Sequence, residues 1–223
     1  MKTRKKRKFK KRYWLLVDLV IVAAIFALLL YKPGCYNPPE TVYDKQVSLY
    51  LTHELSPQLY NGIQRQEPFD LLVLQEGVND IIARSKWPKE SEGISFSAPE
   101  VLFVPDSIVL MGTAALKGVQ FVVTTVLCPK LDENGLLNLR VAKVKIGAVN
   151  ITLLARLIAK KMYAQRLAAT DIDADALGVK ITAALLNDEP FEPVFEIDDK
   201  KVRVEKITIT HGKLTIGLAP ASD

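Results

Sequence analysis

The side chains that most often catalyse reactions or bind metals are few in this sequence and widely separated. The chain has two histidines, His53 and His211, and neither is surrounded by Cys, Asp or Glu at the spacing of a metal site. We interpret both as surface residues rather than ligands or general bases. No nucleophile elbow, phosphate-binding loop or dinucleotide fingerprint occurs. The sequence therefore predicts a protein that is not an enzyme and that holds no metal and no cofactor.

Three alternating aspartates come closest to a metal-binding motif. Asp171, Asp173 and Asp175 resemble the first half of a calcium loop. The glycine and the distal glutamate that complete such a loop are missing at the required offsets. Because acidic residues are favoured at the beginning of a helix, helix capping accounts for the aspartates better.

The two cysteines do not predict an internal disulfide. Cys35 lies in a proline-containing stretch, and Cys128 lies at the end of an apolar strand. The simpler interpretation is a free thiol at Cys35 and a small core residue at Cys128. A disulfide between two chains through Cys35 stays open for an oxidising compartment.

The positive charge of the chain is concentrated at its beginning. The formal net charge is +5, yet residues 1–12 carry nine Lys and Arg and no acid. Residues 32–223 carry 21 basic and 24 acidic side chains, a net charge of −3. A nucleic-acid-binding fold needs its basic stripe on the folded part. The sequence therefore predicts no nucleic-acid partner.

Residues 13–31 are apolar apart from Asp18, and they predict a transmembrane helix. At 1.5 Å per residue they span about 28 Å, close to the thickness of the hydrocarbon core. The aromatic residues Tyr13, Trp14 and Tyr31 stand where interfacial aromatics are found. The basic tail places the N-terminus in the cytoplasm. We therefore expect a single-pass cell-membrane protein, with the bilayer as a partner through residues 13–31.

The residues that follow the apolar segment disfavour a cleaved signal peptide and a lipid anchor. A cleaved signal peptide needs small residues after the apolar run, whereas Leu30, Tyr31 and Lys32 follow here. Lipidation of Cys35 needs a small apolar lead-in, which Lys32 and Pro33 do not supply. The predicted domain organisation is a basic cytoplasmic tail over 1–12, a transmembrane helix over 13–31, a proline-containing linker over 32–45 and an extracytoplasmic α+β domain over 46–223.

Hydrophobic periodicity after the linker predicts helices first and then mostly strands. A stripe at every fourth residue from Val47 to Ile63 predicts a helix with a bend at Ser56-Pro57. Further helices are predicted over 77–84, 150–169 and 173–187. Strands are predicted over 69–74, 94–104, 107–115, 118–128, 136–146, 194–197, 201–209 and 213–218.

Two strands change the phase of their alternation, which predicts β-bulges. The apolar positions Leu137, Leu139 and Val141 are followed by Val144 rather than by an apolar residue at 143. The strand over 201–209 shows the same slip after Val204. A bulge bends its strand and lets a sheet curl. The predicted fold is α+β, an N-terminal transmembrane helix followed by a curved antiparallel β-sheet packed on a long helix.

The stretch from Pro68 to Ile81, with Gly77-Val78-Asn79 in it, resembles the opening of the YpmS-like bacterial envelope proteins, which are small and membrane-anchored. The stretch Val109 to Val119 and the strand from Leu136 to Gly147 are similar to their central sheet. Such proteins are likened to the tubular lipid-binding superfamily. The resemblance covers about residues 68–165 and implies a curved sheet that wraps a helix and holds acyl chains.

An apolar face of one strand and an apolar row of residues on one helix define the candidate lipid-binding groove. The apolar residues of the strand over 118–128 fall on one face, and the helix over 150–169 carries an apolar line. The candidate groove residues are Val119, Phe121, Val123, Leu139, Val141, Leu154, Ile158 and Met162. The first hypothesis is a membrane-anchored domain that binds or handles lipid. The alternative is a non-enzymatic scaffolding protein of the cell envelope, with a filled core, that binds a protein partner.

Overall fold

The computed structural model describes residues 4–40, 47–91, 93–169 and 177–221. Asp171, Asp173 and Asp175, and part of the predicted linker (41–46), lie outside the described residues. Within these ranges the chain forms helices and two antiparallel sheets. The helices are α1 (Arg4–Leu29), α2 (Ser56–Arg65), α3 (Gln75–Ala83), α4 (Thr152–Ala169) and α5 (Leu177–Asn187).

A short π-helical segment, Leu51–Leu55, runs directly into α2. Pro57 stands in the first turn of α2, directly after the π-helical segment. Ser56 itself has helical dihedrals, and no side-chain hydrogen bond caps α2. The change from π to α at Ser56 lies where the sequence predicts a bend.

The first sheet brings together the two ends of the domain. It contains β1 (Phe69–Leu74), β9 (Val194–Ile197), β10 (Lys200–Thr210) and β11 (Lys213–Pro220) in the order β1-β11-β10-β9. Every pairing is antiparallel. Because β1 pairs with β11, the strand that opens the domain is held by one that ends near its C-terminus.

The second sheet is larger and is built mainly from consecutive strands. Its order is β2-β3-β5-β6-β7-β8, with β4 also paired to β5. Asn134 and Gly135 form the turn between β6 and β7, and Gly135 has the positive φ of 75° that this turn requires. The strands are β2 (Lys89–Ser91), β3 (Ile94–Phe96), β4 (Glu100–Val104), β5 (Ser107–Leu116), β6 (Val119–Leu131), β7 (Leu137–Ile146) and β8 (Val149–Asn150).

Both predicted bulges are confirmed by the strand register. Val126 of β6 pairs with Lys143, and the next residue, Leu127, pairs with Val141, so Ala142 is the extra residue. In β10 the register shifts after Val204 in the same way. The alternation of apolar side chains resumes after each bulge, which keeps the same face of each strand apolar.

The main core lies where the first sheet packs on one end of the second. Its buried residues come from β1, β4, β10 and β11, and partly buried side chains of α2, α3, β5 and β6 pack against them. The buried members are Leu71, Val73, Val101, Phe103, Val204, Ile209 and Leu218. This core fixes β4 and the adjoining end of β5 against the first sheet.

The chain after α1 packs against the opposite face of the second sheet. Tyr36 is 5% exposed and forms a small core with Met111 and Val122. Its hydroxyl is hydrogen-bonded to Thr113 Oγ1 at 3.0 Å, and Asn37 N donates to Glu100 Oε2 at 2.8 Å. This part of the predicted linker is therefore bound to the sheet.

The prediction of a transmembrane helix over 13–31 is contradicted. Among the described residues, no helix has the length and apolarity needed to cross a membrane. Helix α1 ends at Leu29, so Leu30 and Tyr31 of the predicted span lie outside it, and its apolar part includes Asp18. The single-pass anchor is corrected accordingly.

The predicted arrangement of one curved sheet around a long helix also needs correction. The class is α+β with antiparallel strands, but the strands form two sheets. Helix α4 lies beside the edge of β7, where Thr152 Oγ1 accepts from Val144 N and Arg156 Nη2 donates to Val141 O. The edge hydrogen bonds of β7, rather than burial of its leucines, position this helix.

Candidate functional site

Five predicted groove residues lie on one face of the second sheet, here called the inner face. Residues paired across an antiparallel ladder point to the same side. The pairs Phe121 with Ala114, Leu139 with Pro129 and Val141 with Leu127 therefore share this face. Val119 and Val123 alternate with Phe121 along β6 and also belong to it. Strand β6 is also apolar on its other face, where Val122 is 8% exposed and packs with Tyr36 and Met111.

The first sheet covers only part of the inner face. Ile108, Leu110 and Leu131 pack against the main core. At the far ends of β5 and β6, Leu116 and Val119 are 43% and 42% exposed. An apolar sheet face that its own fold leaves open is the kind of surface that ligands or partners cover.

An open cleft of about 500 Å³ lies on this uncovered part. This volume falls in the usual range for small-molecule sites. The floor is formed by β5 and β6, and the walls are β2, β3 and the segment before β4. The lining residues are Trp87, Lys89, Glu90, Ser91, Phe96, Ser97, Pro99, Leu110, Gly112, Thr113, Ala114, Val123 and Thr125. Most of the surface that they offer to a ligand is apolar.

Trp87 is the largest side chain of the cleft, and its position is fixed. Its Nε1 donates to the carbonyl of Ile82 at 2.9 Å, at the end of α3. The peptide bond between Trp87 and Pro88 is cis. Lys89 follows on β2 and places its Nζ 4.8 Å from the centroid of the Trp87 ring, a cation–π contact.

The floor of the cleft has room because residue 112 is glycine. A Cβ at Gly112 would lie 3.7 Å from Cα and Cβ of Pro99 and 3.9 Å from Ser97 O, which are ordinary contacts. The side chain of a larger residue would extend into the cleft. Gly112 therefore keeps the cleft open without being required by the backbone.

The groove residues predicted on the helix over 150–169 lie on α4, and those whose side chains are described are exposed to solvent and do not line the cleft. Leu154 and Ile158 are 56% and 51% exposed, and their neighbours Leu153 and Leu157 are 80% and 70% exposed. These four residues form one apolar surface, here called the α4 face. Met162 belongs to α4, but its side chain lies outside the described part. The structure does not bring the α4 face into the lining of the cleft.

Of the eight predicted residues, Val123 lines the cleft. Sequence reasoning missed Trp87, Phe96 and Pro99. The sequence feature that could have indicated them is the stretch Ser97-Ala98-Pro99 inside the strand predicted over 94–104, because proline disrupts the interior of a strand. The interruption separates β3 from β4 and opens the side of the cleft.

The polar cluster around Asp80 has a structural role. Ser48 Oγ donates to Asp80 Oδ2 at 2.5 Å, and Arg84 Nε lies 2.8 Å from Asp80 Oδ1. The Ser48 hydrogen bond, opposed by burial and aided by Arg84, holds the pKa of Asp80 below its ordinary value. Ser48 Oγ also accepts from Leu51 N at 3.3 Å and caps the helical segment. This cluster ties the first helical segment to α3.

Metal and thiol chemistry have no assembled site in the part of the chain that the structure describes. No group of three or more His, Cys, Asp or Glu that could hold a metal ion occurs there. Cys35 and Cys128 are both free. Cys128 Sγ lies 3.3 Å from Ser107 Oγ in a hydrogen bond on the side of the sheet away from the cleft. The apolar cleft is therefore the candidate site.

Comparison with protein-family models, with curated proteins and with solved structures found no match to this chain.

Proposed function

We propose that this protein is a non-enzymatic binding protein that takes one acyl-chain-like ligand in the cleft on the inner face. The observation that carries the proposal is an apolar cleft of about 500 Å³ on a sheet face that the first sheet leaves uncovered. Burial of apolar surface is the main favourable term for such a ligand, at about 25 cal/mol per Å². The proposal agrees with what the resemblance to lipid-binding proteins implies.

The two tryptophans of the chain allow a direct test. Trp87 lines the cleft, and Trp14 lies on α1 and is 67% exposed. In the full-length W14F variant, a brominated fatty acid should quench Trp87 fluorescence in a saturable way. In the W87F variant, which keeps Trp14, the same titration should give no saturable quenching. This pair separates binding in the cleft from adsorption to α1.

Variants at Gly112 provide the matched controls for the cleft. In the W14F background, G112A adds only a methyl group and should keep binding, whereas G112L fills the floor and should weaken binding at least tenfold. Cooperative urea unfolding of both variants would show that they remain folded. Unsaturable quenching in W14F, or equal affinity of G112L and G112A, would overturn the proposal.

The α4 face favours a second function, the binding of a protein partner. Leu153, Leu154, Leu157 and Ile158 are all at least half exposed, and contiguous apolar surface on a folded protein is often an interaction site. A photocrosslinking residue in place of Leu157 is expected to give one dominant crosslinked product in cells. The same residue at exposed Gln120 serves as the control. Equal, diffuse crosslinking at both positions would exclude this function.

A further inference from the structure

The cleft has a positively charged group at one side of an apolar row. Lys89 of β2 pairs with Phe96 of β3, and Phe96 pairs with Ala114 of β5. The three side chains therefore lie side by side on the inner face, one strand spacing of about 4.8 Å apart. All three line the cleft. A ligand that lies across these strands has a cation at one end and apolar surface along its length.

The Lys89 ammonium group is held in place but is not neutralised. Its Nζ lies 4.8 Å from the centroid of the Trp87 ring, and Trp87 is fixed by its hydrogen bond to Ile82 O. Among the described residues, Lys89 makes no ion pair. Glu90 is next to Lys89 and also lines the cleft, but it makes no ion pair with Lys89. The charge of Lys89 is therefore available to a ligand.

The polar groups at the Lys89 side of the cleft suit a ligand that carries one negative charge. A lysine binds an anion as a point charge, whereas phosphate recognition usually uses several cations or the fork of an arginine. No arginine lines the cleft in the described residues, and Lys89 is its one lysine. The remaining polar groups of the lining are one carboxylate and the hydroxyls of serines and threonines. A single carboxylate on the ligand fits this set.

We infer that the ligand is a single-chain monocarboxylate of the fatty-acid type. Its carboxylate is bound by Lys89, and its chain lies over Phe96 and Ala114 toward Val123. The inference rests on the proposed function and names the substrate class of the same cleft. Lys89 acts here as a specificity-determining residue, because an ester or an alcohol of the same chain length lacks the charge that it recognises.

The test compares a brominated fatty acid with its methyl ester by quenching of Trp87 in the full-length W14F protein. The acid is expected to bind about 5-fold more tightly than the ester, because this ratio of affinities corresponds to the free energy of one partly exposed ion pair. The added substitution K89M keeps the apolar stem and removes the charge, so the ratio should fall to about 1. K86M, which removes a nearby lysine outside the cleft, should keep the ratio.

The outcomes separate this inference from the proposed function. Saturable binding of acid and ester with equal affinity would overturn the carboxylate assignment and leave the proposed function standing. A ratio that survives K89M would overturn the role of Lys89. Failure of both probes to bind in the W14F protein would overturn the proposed function, and the inference would fall with it. Loss of ester binding in K89M would overturn the charge-recognition role and indicate that Lys89 shapes the cleft instead.

Discussion

Replacement of Asn79 by alanine should destabilise the protein strongly, although Asn79 does not line the cleft. Among the strands that the structure describes, β4 pairs with β5 alone, so the other edge of β4 needs partners for its backbone. Asn79 Nδ2 donates to Val101 O at 2.9 Å, and Val101 N donates to Asn79 Oδ1 at 2.8 Å. One side-chain amide thus takes the place of a neighbouring strand.

The neighbouring edge groups of β4 are satisfied in the same way. Phe103 N donates to Gln75 Oε1 at 2.8 Å, and Phe103 O accepts from Gly212 N at 3.0 Å. Gly212 lies in the turn between β10 and β11. Side chains of α3 and one turn of the first sheet therefore close this edge, and Asn79 contributes two of the hydrogen bonds.

The expected magnitude follows from burial. Val101 is 5% exposed, so the N79A variant leaves a buried N–H and a buried C=O without partners. Each unsatisfied group costs about 1–3 kcal/mol, so the two groups together cost about 2–6 kcal/mol. A small domain has about 5–15 kcal/mol of stability. Urea denaturation should therefore show a large decrease in the unfolding midpoint.

Two control variants make the test specific. N79D keeps an acceptor for Val101 N but places a carboxylate against Val101 O, so it should also be destabilised. Q120A changes an exposed side chain and should shift the stability by less than about 0.5 kcal/mol. A loss below about 1 kcal/mol in N79A, the lower bound for a single unsatisfied group, would refute the view that Asn79 completes the edge of β4.

Two further predictions concern the packing of α3. A Cβ at Gly77 would lie 2.2 Å from Cδ1 of Tyr50, so G77A should displace this ring and lower the unfolding free energy by about 1–3 kcal/mol. The control G178A adds a methyl group in open space and should not lower it. Equal unfolding midpoints of the two variants in urea would contradict this prediction. The pKa of Asp80 lies below its ordinary value of about 3.8, mainly through Ser48, so its contribution to stability is present above about pH 4 and is lost as the pH falls through the lowered folded pKa. The difference in unfolding free energy between wild type and S48A, measured by urea unfolding, should therefore be largest near neutral pH and shrink on acidification. The control S85A should show no such pH dependence. A difference for S48A that stays constant down to about pH 2.5 would refute the stabilising role of the Ser48–Asp80 hydrogen bond.

Local patterns predicted most of the secondary structure. The strand over 69–74 and the strands from 107 to 146 agree with the structure within a few residues, because alternation and turn residues are set by neighbouring positions. The bulge at Ala142 was visible as a phase slip for the same reason. The apolar run over 13–31 predicted a membrane crossing from its composition, and that prediction is contradicted.

Long-range pairing could not be predicted in this way. The pairing of Phe69 with Leu218 divides the strands into two sheets, and no local pattern contains this information. The α4 face is another case, because hydrogen bonds of Thr152 and Arg156 to β7 decide which side of the helix meets the sheet. Val123 is the predicted residue that lines the candidate cleft, and the walls of the cleft come from segments whose position depends on these distant contacts.

Helix α1 and the residues that follow it are attached to the second sheet at two points. Ala148 N donates to Leu28 O at 2.8 Å, and a Cβ at Gly147 would lie 2.4 Å from that carbonyl oxygen. Beyond the helix, Tyr36 is fixed to Thr113 of β5. Tension or torque applied to α1 is therefore transmitted at two points, to the end of β7 and to β5, and the opposite face of β5 forms part of the floor of the cleft. The strands that a ligand would touch are mechanically coupled to the N-terminal helix.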